Sequence, residues 1–176
     1  TYKDRLLLEE TPHQVIEGAV VAALATGVNR VVFYTNPDLT RSLAAMKAAI
    51  EQWQASDLLA QASTALGRPM ELQLLPGSGH YIGGEETASM EWVEGRFPFP
   101  RGKPPYPAQA GVHGCPTLIN NVETLAHVSH IAVRGGAWFR SLGKAPGTGT
   151  KLFVAEGTVV TDEFKYWMVT LWAAAT

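Results

Sequence analysis

One cysteine, Cys115, occurs in 176 residues. A single thiol cannot close an internal disulfide, and it cannot by itself supply the thiolates of a zinc finger or an iron–sulfur cluster. A reducing compartment is the expectation. A surplus of positive charge is lacking too: 14 Lys and Arg stand against 16 Asp and Glu, a formal net charge of -2. Nucleic-acid clamps and polybasic membrane anchors both need that surplus, so neither class is expected. No long apolar run occurs either. The most apolar late stretch, Phe164 to Ala175, contains Lys165 and falls short of the ~20 residues that span a bilayer. The opening, Thr1 to Glu10, is charged and has no secretory-signal pattern. What is present is 46% hydrophobic and 17% charged residues, enough for one domain with a sizeable core.

The first clear element begins at Thr11-Pro12-His13-Gln14, an N-cap candidate, a proline at the first helical position and a glutamine placed for a capping box. Val15, Ala19, Ala22 and Ala23 continue the helix and Gly27 stops it. Arg30 to Thr35 is a β-branched and aromatic strand, ended by Asn36-Pro37-Asp38. Leu39, Leu43, Met46, Ile50 and Trp53 form the stripe of a helix lying on a sheet. A second helix runs from Leu58 to Leu66, and Met70 to Leu75 reads as another strand. Strand, helix and strand at this spacing form a βαβ unit with a parallel sheet, whose ligands bind at the carboxyl ends of the strands. The prolines between Pro98 and Pro107 forbid helix and impose a loop. A helix resumes at about Asn121, capped by Asn120 or Asn121, and ends at Gly135-Gly136. Lys151 to Val160 reads as a further strand.

Three segments could carry chemistry. Gly77 to Thr87 holds glycines 77, 79, 83 and 84 between a strand and a helix, so backbone N–H groups can approach a ligand. Glu85 and Glu86 either complement the helix dipole or accept hydrogen bonds from sugar or ribityl hydroxyls. Lys103-Pro104-Pro105-Tyr106-Pro107 is either a solvent-facing loop or a braced ring for stacking beside a cation for a phosphate. Asn120-Asn121-Val122-Glu123-Thr124 is either a helix cap or a holder of a phosphate or ring edge. His127 and His130 lie three apart without a third metal ligand nearby and read as packed or surface histidines. No nucleophile elbow, HExxH or paired hydrolase carboxylates occur.

Taken in order, Gly79 to Ala88, Glu91-x-x-Glu94-Gly95-Arg96, Lys103 to Ala108, Gly111 and Asn120 to Leu125 follow one another as in one family. The chain resembles the flavin-bearing, NADH-oxidising subunit of respiratory complex I (NADH-quinone oxidoreductase). It is similar also to the diaphorase subunits of NAD-reducing hydrogenases and formate dehydrogenases. Thr1 to Arg5 and Gly135-Gly136-x-Trp138-Phe139 fit as well, so the resemblance runs to about Val159. It implies a Rossmann-like α/β fold, a parallel sheet flanked by helices, with the start of a further β-segment at the C-terminus. It also implies an FMN/NADH-binding domain over 1–150, with 151–176 a linker or the truncated start of a ubiquitin-like β-domain.

The resemblance places Tyr81, Gly84, Glu85, Glu86, Asn120, Asn121 and Thr124 around FMN, and Glu86, Lys103 and Tyr106 toward NADH. No side chain is assigned a catalytic or metal-ligating role, because hydride passes from nicotinamide to the flavin. Tyr106 stands where phenylalanine is usual and Gly83 where cysteine is frequent. The family's first glycine-rich FMN loop would precede Thr1, and its four-cysteine 4Fe–4S domain would follow, so the chain is read as the middle of such a subunit, without an iron–sulfur centre of its own. The implied partners are the other subunits of a multisubunit oxidoreductase, including an iron–sulfur electron acceptor, and not nucleic acid. The implied location is the cytoplasm, or the cytoplasmic or matrix side of an energy-transducing membrane. The competing expectation is a non-catalytic assembly subunit that no longer holds flavin.

Overall fold

The computed structural model describes residues 2–152 and the backbone of 168–172. The strand expected over 151–160 therefore falls, past Leu152, outside the described residues. Helix α1 (Tyr2–Glu10) precedes the first element expected from sequence. Its charged composition hides it, yet Leu8 and Asp4 are both buried. Helix α2 (Pro12–Thr26) starts at Thr11 and ends at Gly27, whose φ of 72° is the left-handed C-cap. The expected capping box is not made. Thr11 Oγ1 donates to the Leu7 carbonyl and Gln14 Nε2 to the Ala126 carbonyl, so other partners have taken both side chains.

Strand β1 (Arg30–Thr35), α3 (Thr40–Ala55), α4 (Asp57–Leu66) and β2 (Glu71–Pro76) form the expected βαβ unit, with two helices in the crossover. β1 and β2 pair in parallel from Arg30↔Glu71 to Thr35↔Pro76. After a short 3₁₀ turn at Tyr81–Gly84 comes α5 (Glu86–Val93). Strand β3 (Thr117–Asn121) leads directly into α6 (Val122–Arg134), which is followed by α7 (Gly136–Ser141). β3 was not expected from sequence, because two consecutive asparagines obscure its end. The short β4 (Gly143–Lys144) and β5 (Gly147–Thr148) pair with each other in a small antiparallel hairpin.

Strand β6 (Met168–Trp172) completes a main sheet of order β2-β1-β6-β3. It runs antiparallel to both β1 and β3, which are therefore parallel to each other. The sheet is thus Rossmann-like in its βαβ unit and mixed at β6. The carboxyl ends of β1, β2 and β3 share one edge of the sheet.

Alternation along β1 builds the two layers. Val31 and Phe33 join Leu8, Val15, Ile16, Met46 and Ile50 in the larger core, while Val32 packs with Met90 and Val112 on the other side. Burial of that scale is the main stabilising force, at ~1.5–3 kcal/mol for each large side chain. Gly18 lets α2 lie against α6, since a Cβ there would stand 1.8 Å from the Leu125 carbonyl oxygen.

Candidate functional site

A cavity of about 410 Å³ opens beyond the carboxyl ends of β1 and β2. One wall is Tyr34 and the turn Asn36-Pro37-Asp38, where the Asn36 side chain accepts from the Asp38 N–H. The other wall is the glycine-rich segment from Gly77 to Glu85. The loop turns over because Gly79 adopts a φ of 76°. Gly83 sits against Tyr34 so closely that a Cβ would lie 2.7 Å from the tyrosine hydroxyl and 2.5 Å from Ser78 Oγ. That contact accounts for glycine at a position where the resembling family often has cysteine. Sequence reading singled out the glycine loop but missed Tyr34, Asn36 and Asp38. The strand-end rule points to the turn residues Asn36 and Asp38, though not to Tyr34 inside the strand.

The cavity brings together three sequence-chosen residues, Tyr81, Gly84 and Glu85. Tyr81 is 75% exposed, a free aromatic face at the rim. Glu85 is the N-cap of α5, accepting from Thr87 N–H at 2.8 Å and Ala88 N–H at 2.9 Å. Burial pushes its carboxyl up, but the Thr87 and Ala88 hydrogen bonds and Lys103 outweigh this and hold it below the usual carboxylate range. Glu86, the first residue of α5, pairs with Lys103, which also lies 3.3 Å from Glu85. The Glu86 bond leads, desolvation opposes it and Glu85 adds to it, so the Lys103 ammonium is raised above its ordinary value. Both carboxylates thus cap or start the helix and still face a cation from the proline loop.

That loop is fastened by an ion network of Glu91, Glu94 and Arg96, which the resemblance includes, and Arg101, which it does not. Arg101 pairs with Glu91 and, at 2.7 Å, with Glu94, and donates to the Gly111 carbonyl at 2.9 Å. Its N–H donates to Thr87 Oγ1 at 2.8 Å. Arg96 reaches the same two carboxylates. The Arg96 hydrogen bond leads, burial opposes, Arg101 adds, and Glu91 falls to about 2. The His113 N–H, held at a φ of 51°, donates to Glu94 at 2.7 Å. Lys103 lies two residues from Arg101, so this clamp sets where the lysine stands. Tyr106 is 56% exposed further along the loop and lines no part of the cavity.

Asn120, Asn121 and Thr124 stand at the carboxyl end of β3. Tyr34 and Asn121 both pair with Met168 from opposite sides. Two strand spacings put their backbones about 10 Å apart, across the same sheet edge. The cap of α6 is Asn121 and not Asn120, its Oδ1 accepting from the Glu123 N–H at 3.0 Å. Lys3 Nζ donates to the same Oδ1 at 3.1 Å, and Asn121 Nδ2 donates to Asp4 at 3.3 Å. Lys3 also meets Glu123 at 2.9 Å. Desolvation pulls the Lys3 ammonium down, but Asp4 and Glu123 together raise it. Thr124 is exposed and Asn120 half-buried. His127 packs on Phe139 with ring centroids 5.2 Å apart, and His130 lies 3.0 Å from Gln14 Nε2.

Comparison with known proteins gives a consistent set of relatives. Residues 1–130 match the family model described as the Nuo51 FMN-binding domain. An NADH-quinone oxidoreductase subunit of Rhodobacter capsulatus is 42% identical over 161 residues, 92% of this chain and 37% of that protein. A similarly named protein of Rhizobium meliloti (strain 1021) is 42% identical over 159 residues, 90% of this chain and 38% of the relative. The chain therefore spans well under half the length of these relatives. A crystal structure of an NAD+-reducing NiFe hydrogenase in the air-oxidised state superposes with a TM-score of 0.77 at 35% identity. It covers 96% of this chain and 27% of the hydrogenase chain. The H2-reduced state gives 0.75 at 36% identity, over 85% and 25%.

Proposed function

This chain belongs to the Nuo51 FMN-binding domain family, and on that premise we propose that its cavity holds FMN beside an NADH site, as the central part of an NADH dehydrogenase flavin subunit. The observation that carries this reading is the cavity at the carboxyl ends of β1 and β2, walled by glycine backbone and Glu85, with Lys103 standing beside it. Its contents suit such a cofactor. Glycines 77, 79, 83 and 84 leave room for a flat ring, and the Glu85 and Asp38 carboxylates are acceptors for the hydroxyls of a ribityl chain.

Bound FMN would supply a two-electron acceptor for the nicotinamide hydride. The protein's part is positioning. Tyr81 and Gly84 bound the ring space, and Glu85 fixes the start of α5 while facing the cavity. Glu86 and Lys103 face the dinucleotide, and Tyr106 offers an aromatic face to it. Asn120, Asn121 and Thr124 belong to the same flavin site from across the sheet edge. Lys3, Asp4 and Glu123 hold Asn121 in place.

We assign residues 1–150 to this FMN/NADH unit and 151–176 to a linker or the start of a ubiquitin-like β-segment. Electrons leave to an iron–sulfur partner in a multisubunit oxidoreductase, on the cytoplasmic or matrix side of an energy-transducing membrane. Among the described residues no helix is long and apolar enough to cross a membrane.

The test is flavin content. The purified protein is incubated with FMN, desalted and denatured, and the released flavin is read by fluorescence. About one FMN per chain is expected. No flavin retained, and no quenching on titration with FMN, would refute this reading in favour of an assembly subunit.

A further inference from the structure

We propose that the Tyr34 hydroxyl is a hydrogen-bond donor to the ring of the flavin, and that this cavity takes the ring and excludes the phosphate. Tyr34 is the penultimate residue of β1 and only 6% exposed, yet its side chain lines the cavity. Its oxygen accepts the Ser78 N–H at 3.3 Å. Among the described residues its own proton has no acceptor. A hydroxyl so buried is costly to leave with its donor unused.

The space around that oxygen has been cleared from two directions. A Cβ on Gly77 would lie 3.0 Å from it, and one on Gly83 would lie 2.7 Å away. The unsatisfied donor thus borders a space that any side chain at either glycine would fill.

The charges around the cavity decide which part of the ligand it meets. Asp38 and Glu85 are its carboxylates; His80 also lines it, with its ring centroid 5.5 Å from that of Phe97, and among the described residues no lysine or arginine does. A dianionic phosphate would be repelled there by both carboxylates. Ribityl hydroxyls are donors as well as acceptors and are served by the carboxylates. The Tyr34 hydroxyl, a neutral donor set in the same wall as these carboxylates, suits an acceptor without a negative charge. The carbonyl oxygens and aza nitrogens of the isoalloxazine ring supply it.

This inference rests on the flavin reading above, and the experiment separates the two. Dissociation constants for FMN and for lumiflavin, the bare ring without ribityl or phosphate, are measured by fluorescence quenching on the wild type and on Tyr34→Phe. Tyr34→Phe is expected to weaken both by the same factor, about 5- to 10-fold, the worth of one neutral hydrogen bond. An unchanged lumiflavin constant overturns the inference, and so does a loss confined to FMN. A wild type that binds neither flavin overturns the flavin reading itself. Should Tyr34→Phe not fold, 3-fluorotyrosine placed at position 34 retains the shape with a more acidic hydroxyl. It is expected to tighten lumiflavin binding, and no change refutes the role.

Discussion

Replacing Arg101 with methionine removes the clamp while keeping most of the apolar stem. The change deletes ion pairs to Glu91 and Glu94 and the hydrogen bond to the Gly111 carbonyl. Two limits bracket the cost. An exposed ion pair contributes ~0.2–1 kcal/mol, and leaving a buried charge unpaired costs ~3–5 kcal/mol. The Arg101 side chain is 24% exposed, and Glu94, at 4%, would still have Arg96 and the His113 N–H. No carboxylate is orphaned, so the expected loss lies between the limits, at about 2 kcal/mol.

Acid supplies the internal control. The Glu91 carboxyl sits at about 2 when folded against 4.5 in its ordinary state, so its contribution is fully present above about 4.5. It fades as the pH falls from there toward 2. Urea unfolding of wild type and variant at neutral pH, and again at steps down to pH 3, measures both. The gap should be about 2 kcal/mol at pH 7 and should narrow through the acid series. A gap below ~0.5 kcal/mol at pH 7, or one that does not change with pH, would refute the account of the clamp.

Two further expectations follow from single contacts. Gly18→Ala gains ~1 kcal/mol in helix propensity, but its methyl would stand 1.8 Å from a backbone oxygen that cannot rotate away. The two helices must separate, and a net loss of ~2 kcal/mol or more in urea unfolding is expected; a stabilised variant would mean that α2 and α6 do not meet there. Glu86→Gln, assayed with ferricyanide as acceptor in the assembled subunit, should raise turnover with NADPH relative to NADH by about 3- to 10-fold, since a carboxylate near the extra phosphate repels it by ~1 kcal/mol at an exposed site. An unmoved ratio would leave Glu86 as the Lys103 partner only.

The βαβ unit was legible because its strands are short and β-branched and its helix carries an apolar stripe, of which Met46, Ile50 and Trp53 are buried. The strand-end rule then located the glycine loop that walls the cavity. α1 was not legible, because its burial depends on Leu8 and on Asp4 held by Asn121, a residue 117 positions away. The mistaken capping box has the same origin: Gln14 found a stronger claim on it in α6. The cap of α6 was narrowed to two asparagines and no further, since only the end of β3 decides between them. Asn36, Asp38 and Tyr34 were passed over as turn and strand residues. Nothing local marks a strand tyrosine as facing a cavity. The roles of Glu91, Glu94 and Arg101 needed the folded loop, because the pairs join a helix to a segment without regular structure.

The contact between Gly83 and Tyr34 constrains the order in which this loop can change. With the tyrosine hydroxyl 2.7 Å from the point where a Cβ would stand, position 83 is closed to every other residue until position 34 gives way. Ser78 Oγ, the nearer obstacle at 2.5 Å, is the end of a side chain that can rotate. The first permissive step is therefore loss of the phenol oxygen, after which alanine or cysteine at 83 becomes admissible. In the reverse direction, a lineage with a side chain at 83 must shed it before a tyrosine can settle at 34. The two positions, 49 apart in the chain, form an epistatic pair whose two intermediate states differ in fitness: one is a small void, the other a collision.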